Sequence, residues 1–214
     1  MSGTTTAPPH TARAEDQRVT LSDVSWADFE LILQIRGDRG GVRLTYLNGV
    51  LELISPSVDH EGIKTTIGRL LEAYAEEAGI AFNGFGSWTL KNAARARALE
   101  PDECYSLTTG RPARPDLAVE VVWTSGGIDK LDVYRGLGVT EVWFWREGVI
   151  EVWELRGDRY ERREASGLLA ELDLAELARH IDAENQTESV RRYRQTLRRA
   201  RARRAPVPPN TETP

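Results

Sequence analysis

The stretch Arg114-Pro115-Asp116-Leu117-Ala118-Val119-Glu120-Val121-Val122-Trp123 limits the folds open to this chain more than any other. It reads as a short, mostly buried β-strand, bounded by proline on one side and by Ser125-Gly126-Gly127 on the other, where a helix opens. A strand alternates faces, so Leu117, Val119, Val121 and Trp123 make one uniformly apolar side, and Asp116, Ala118, Glu120 and Val122 make the other. Glu120 is the oddity. A carboxylate in the middle of an apolar strand loses hydration, and it persists where a cation, a hydrogen-bond network or a metal compensates. In the helix that follows, Lys130, Val133, Tyr134 and Leu137 share one stripe, while Asp129, Asp132 and Arg135 point elsewhere. An inward Glu120 and an inward Lys130 are therefore candidates for a common pocket.

With 214 residues, 40% hydrophobic and 29% charged, the chain has enough apolar surface for one good core and at most a small appendage. A single cysteine, Cys104, excludes an internal disulfide and a cysteine-based zinc cluster, and it fits a reducing cytoplasm. No histidine follows it in the arrangement a thiol nucleophile needs, so Cys104 reads as a small buried hydrophobe. No apolar run reaches the roughly 18 residues that would span a membrane. Met1 to Arg18 mixes Ser, Thr, Pro and Ala with charges, and the expected organisation is a disordered leader over 1–20, one domain over 21–182, a basic helix over 183–204 and a disordered tail over 205–214.

The net charge of −5 excludes a chain that coats nucleic acid or membrane over its whole surface. The charge is uneven, however. Arg191, Arg192, Arg194, Arg198, Arg199, Arg201, Arg203 and Arg204 follow one another with no acid among them. That run is either a nucleic-acid contact or a helix docked on the acidic body.

Ordered structure is expected to begin near Leu21, with Ser25-Trp26-Ala27-Asp28 as a capping box for a short helix. Asn48-Gly49 then marks a hairpin of Val42–Leu47 and Val50–Ile54. Glu52 sits between apolar neighbours on its own face of the second strand, and alternation alone leaves it either inward or exposed. Ser57 caps a long helix with Ile63, Ile67, Leu70, Leu71 and Tyr74 inward, ending at Gly79. His60 lies one turn before Ile63 on that stripe, either as a packed or capping residue or as part of a site. A strand is expected over Ile80–Leu90, then a basic connection from Lys91 and another strand immediately after Pro101.

Two neighbouring strands thus present Asp102 and Glu120. Asp116 is the rival partner for Glu120, but four extended residues separate that pair by about 13 Å. Both carboxylates must lie about 2 Å from a shared ion, which favours Asp102. Thr140–Trp145 and Val149–Leu155 read as a tryptophan-rich hairpin whose Trp143, Trp145 and Trp153 suit a core or a dimer interface better than a base-stacking platform. No repeat, Walker loop, dinucleotide glycine fingerprint, HExxH or GxSxG is present, so no nucleotide cofactor is expected. The order of elements is that of an α/β fold with a mixed central sheet flanked by helices and an N-terminal β-hairpin.

Four pieces in order carry a resemblance: Leu51-Glu52-Leu53-Ile54-Ser55-Pro56-Ser57 with His60; Glu100 to Tyr105; Arg114 to Val121; and Lys130 to Tyr134 with Gly138 to Trp143. On these the chain resembles the Uma-two, restriction endonuclease-like family of the PD-(D/E)xK nuclease superfamily, over roughly Leu21 to Leu155. The resemblance implies that Asp102 takes the superfamily's aspartate role and Glu120 that of its second acid, the two holding Mg²⁺ or Mn²⁺. The lysine usual two residues after the acid is replaced by Val122, so its role looks transferred to Lys130, with Lys91 as the rival. Glu52 and His60 match positions that look like a supplement to the catalytic site.

The implied activity is divalent-metal-dependent hydrolysis of DNA phosphodiesters by an endonuclease; the tryptophan hairpin adds the expectation of a homodimer, and the cysteine usage that of a cytoplasmic location. Arg191, Arg192, Arg198 and Arg199 are the expected nucleic-acid contacts. Backbone N–H groups at Ser125-Gly126-Gly127 either cradle a phosphate or simply turn the chain. The alternative function is a non-catalytic DNA-binding or regulatory protein that keeps the nuclease fold.

Overall fold

The computed structural model describes residues 14–123 and 126–204. Its elements run β1 (Gln17–Leu21), α1 (Trp26–Arg36), β2 (Arg43–Leu47), β3 (Val50–Ser55), α2 (Val58–Ala78), β4 (Asn83–Gly84), β5 (Leu90–Asn92) and β6 (Arg97–Leu99). They continue through β7 (Glu103–Ser106), β8 (Leu117–Val121), α3 (Lys130–Leu137), β9 (Glu141–Arg146), β10 (Val149–Arg156), β11 (Arg159–Arg163), α4 (Leu174–Arg179) and α5 (Gln186–Arg204).

The strands form two sheets rather than one. An antiparallel five-stranded sheet is ordered β1-β3-β2-β6-β5, and a mixed six-stranded sheet is ordered β11-β10-β9-β8-β7-β4. The fold is mixed α/β, with helices flanking both sheets. The N-terminal hairpin belongs to the first sheet, and its turn residues Asn48 and Gly49 have φ of 47° and 92°, as a two-residue hairpin loop requires. β8 and β9 are the parallel pair, and α3 makes the crossover between them.

β8 is buried along its whole length because both faces are covered. Leu117, Val119 and Val121 pack in one core with Ile67, Leu70 and Leu71 of α2 and with Tyr193 of α5. Ala118 packs in a second core with Val133 and Tyr134 of α3. Glu120, on the Ala118 face, is thereby aimed under α3. Trp143 and Trp145 are buried within the chain, which assigns them to the core.

Several expectations need correction. Residues 17–20, assigned to a disordered leader, form an edge strand: β1 pairs antiparallel with β3, placing Thr20 opposite Glu52. Its ladder hydrogen bonds come from β3, a long-range partner that local composition does not reveal. The long strand expected over Ile80–Leu90 is two short ones, β4 and β5, in different sheets. The helix after β8 opens at Lys130 with Asp129 as its cap, not at the glycine pair. Ser125, residues 1–13 and the tail over 205–214 lie outside the described residues.

The basic terminal helix is part of the body. Arg198 donates to Glu77 of α2 at 2.7 Å and Arg194 reaches the same carboxylate at 3.2 Å. The Arg198 hydrogen bond, with help from Arg194, holds the Glu77 carboxyl below its ordinary range. A depressed folded-state pKa contributes stability that is present above the unfolded value and lost as pH falls through the folded one. Thermal melts from about pH 5 down to about pH 3 are expected to show the wild type losing more stability than Glu77→Gln; parallel curves would refute this docking contribution.

Candidate active site

β7 stops pairing with β8 at Glu103 opposite Val119, and the side chain of Asp102 takes over where the ladder ends. Asp102 Oδ2 accepts the Val121 backbone N–H at 2.7 Å, so the carboxylate is pinned one residue from Glu120. α3 then lays Lys130 and Tyr134, one turn apart, over Glu120. Lys130 Nζ donates to Glu120 Oε2 at 2.6 Å, and the Tyr134 hydroxyl donates to Oε1. Glu120 is fully buried and Asp102 is 1% exposed.

Further groups converge on Asp102. Arg43, at the start of β2, donates to Oδ1 and also reaches Glu61 at 2.6 Å. His60, on the first turn of α2 behind its Ser57 cap, donates from Nε2 to Asp102 Oδ2 at 3.0 Å. Its other ring nitrogen meets Asp16 Oδ2 at 2.8 Å. A protonated ring can donate from both nitrogens, one to each acceptor. Burial opposes that charge, yet Asp102 and Asp16 outweigh it and raise the His60 pKa.

The same contest decides the other groups. Burial works against ionised Asp102, but His60, Arg43 and Lys130 overcome it and hold its carboxyl well below the usual range. For Glu120 burial wins: its pKa is raised, with Asp102 adding repulsion and Lys130 opposing. Burial also disfavours the Lys130 ammonium, but Glu120, Asp102 and Glu52 more than compensate and keep it charged.

Glu52 is inward, 1% exposed, with Arg18 Nε at 3.3 Å and the Ile128 N–H at 3.4 Å. Gly127 makes this approach possible. Its φ is +100°, and a Cβ there would overlap Glu52 Oε2. Asp129 accepts the N–H groups of Leu131 and Asp132, so the start of α3 is already capped rather than open to a phosphate. The rivals drop out: Lys91 pairs with Glu30 at the surface, and Asp116 accepts Ser106 Oγ and the Leu107 N–H within the β7–β8 connection. The buried Cys104 thiol is pushed up to about 12 by desolvation, which removes it as a nucleophile.

Lys130 and His60 carry the cluster to the wall of a cleft of about 340 Å³, lined also by Asp16, Arg18 and Glu52 on its polar side and by Trp123, Phe144 and Trp153 on its apolar side. Asp102, Glu120 and Lys130 come together, with His60 and Glu52 beside them. Sequence reasoning missed Asp16, Arg43 and the Tyr134 hydroxyl. Only Tyr134 left a signal, its place four residues after Lys130 on the inward stripe.

The family model described as "putative restriction endonuclease", Uma2, matches residues 26–184. The chain belongs to the Uma2 family. No curated protein matches it. The Uma2 assignment makes the fold restriction endonuclease-like and points to a nuclease, and such families generally use divalent metals.

The donor set fits such an ion. Among the described residues no three His, Cys, Asp or Glu side chains form a closed cage. Mg²⁺ does not need one, since it typically takes one or two carboxylates and keeps several waters. A carboxylate offers about four lone-pair sites. Asp102 uses three, for Arg43, His60 and Val121, and Glu120 uses two, for Lys130 and Tyr134, so both retain acceptor capacity.

Proposed function

We propose that this Uma2 protein is a divalent-metal-dependent endonuclease that hydrolyses phosphodiester bonds in DNA. The observation that carries the reading is the buried group Asp102–Glu120–Lys130 under an open cleft. Two carboxylates and an ammonium withdrawn from water are costly unless their chemistry is used or fully compensated, and such clusters mark functional sites.

Asp102 and Glu120 would hold Mg²⁺ or Mn²⁺, which supplies charge neutralisation at the phosphate and an acidified bound water. Lys130 holds a permanent positive charge at the cleft floor, 2.6 Å from Glu120, where it stabilises negative charge developing on the phosphoryl oxygens. It does the work of the lysine absent at Val122. His60 and Arg43 fix both oxygens of Asp102, and Glu52 orders the Gly127–Ile128 turn that leads into Lys130. Trp123 and Trp153 give the cleft an apolar wall against which a nucleobase can pack.

The α5 arginines remain the proposed backbone contacts. Arg199 is exposed; among the described residues Arg191 and Arg192 pair with Glu188 on their own helix, and Arg198 with Glu77. Exposed pairs of this kind exchange readily for phosphate. A cytoplasmic homodimer belongs to the same proposal, with its interface outside the buried Trp143 and Trp145. No helix among the described residues is long and apolar enough to cross a membrane.

Plasmid relaxation tests the reading. Supercoiled DNA is expected to be nicked with Mg²⁺ or Mn²⁺, to survive with EDTA, and to survive with Asp102→Ala under either metal. Equal nicking by wild type and Asp102→Ala would overturn it. The internal compensation of Asp102 and Glu120 favours a second reading, a non-catalytic DNA-binding protein. Its signature is DNA retention without metal-dependent nicking.

A further inference from the structure

We infer that Asp16, acting through His60, is a positioning residue for the Asp102 carboxylate, and that the side chains of Asp16 and Arg18 wall one side of the catalytic cleft. This rests on the metal-dependent reading above and goes beyond the Uma2 match, which begins at residue 26.

Asp16 bridges two groups at once. Oδ1 accepts the Ser57 backbone N–H at 2.7 Å, and Oδ2 meets His60 Nδ1 at 2.8 Å. The first bond alone would make Asp16 a helix-end cap. The second continues through the ring to Asp102 at 3.0 Å, and the Asp16 side chain is only 6% exposed. An imidazole bonded through one nitrogen can still swing about its side-chain torsions, whereas partners on both nitrogens fix its plane. Asp102 therefore receives a donor whose direction is set from the far side of the cleft.

The rest of the segment is tied to the same walls. Ala14 N–H donates to Asp59 at 3.1 Å, its carbonyl accepts the Trp123 indole N–H at 2.6 Å, and Arg18 meets Glu52 at 3.3 Å. The segment thus touches α2, the end of β8 and β3, the elements that frame the cluster. Outer partners that orient a metal-binding carboxylate typically influence metal affinity by about 10–100-fold.

Mn²⁺ binding measured by calorimetry on the full chain, without DNA, tests the inference independently of cutting. Asp16→Ala is expected to bind Mn²⁺ about 10–100-fold more weakly than wild type. Asp16→Asn, whose amide oxygen can still accept from Nδ1–H, should recover part of the loss, and exposed Gln17→Ala on the same segment should match wild type. If Asp16→Ala proves unfolded at the assay temperature, the near-isosteric Asn variant decides by the same affinity. Wild-type affinity in both Asp16 variants overturns the positioning role and leaves the nuclease reading standing. A wild type that binds no Mn²⁺ removes both.

Discussion

Lys130→Met is expected to slow DNA nicking by about 10²–10³-fold, the usual cost of removing one preorganised donor at developing negative charge. The same change has a separate effect on folding. It strips Glu120 of its cation and leaves the Tyr134 hydroxyl as its side-chain donor. Breaking one half of a buried pair commonly costs about 3–5 kcal/mol, whereas replacing both halves with neutral groups is often close to neutral. The double variant Glu120→Gln/Lys130→Met should therefore melt nearer to wild type than the single variant and remain inactive. Stability recovered without activity separates the catalytic part of the pair from its structural part. Nicking by Lys130→Met at the wild-type rate would remove Lys130 from the mechanism.

Glu141→Ala should produce the largest loss of stability with intact chemistry per folded molecule. Glu141 is fully buried, and its Oε1 accepts the N–H groups of Gly167 and Leu168 at 2.6 and 3.0 Å. Oε2 accepts the Trp143 indole N–H at 2.9 Å and Ser166 Oγ at 2.7 Å. Truncation leaves these donors without their acceptor, at a cost of roughly 3–5 kcal/mol in total. For a chain of this size that is a melting-temperature drop of roughly 10 °C. Glu141 lies opposite Leu117 at the start of the parallel pair, while the cleft lies beyond the other end, where Val121 faces Trp145. Nicking rates corrected for the folded fraction should stay within about twofold of wild type, because the lost contacts are remote from Asp102 and Lys130. A stable variant would show that the 166–168 turn holds itself without the carboxylate.

Local signals in the sequence were sufficient where one element decided the outcome. Asn48-Gly49 fixed the hairpin, Ser57 and Gly79 bracketed α2, and the 3.6-residue stripe of α3 placed Lys130 and Tyr134 on the side of Glu120. What escaped depends on partners distant in the chain. β1 exposes Val19 and Leu21 and owes its existence to β3, so its composition resembles that of a leader. Nothing in a periodic pattern says that Arg43 will face Asp102 across 59 residues. Nor does element order reveal that the strands divide into two sheets.

Burial of an acid likewise does not announce its role. Glu100 and Glu141 are withdrawn from solvent like Glu120, but Glu100 is spent on Arg36, Thr89 and the Leu44 N–H, and Glu141 on the turn after β11. Its place in the middle of an apolar strand singled out Glu120, and the family resemblance gave it a role. The geometry adds the reason, an adjacent carboxylate and ammonium beneath a cleft.

The cluster draws Asp16, Arg43, His60, Asp102, Glu120 and Lys130 from separate stretches of chain and from both sheets. A protein emerging from the ribosome therefore carries no partial version of this machinery: until α3 has been synthesised and has closed over β8, the acids lack their amine. Fragments ending before that helix lack Lys130, so on the nuclease reading proposed above they are expected to be inert.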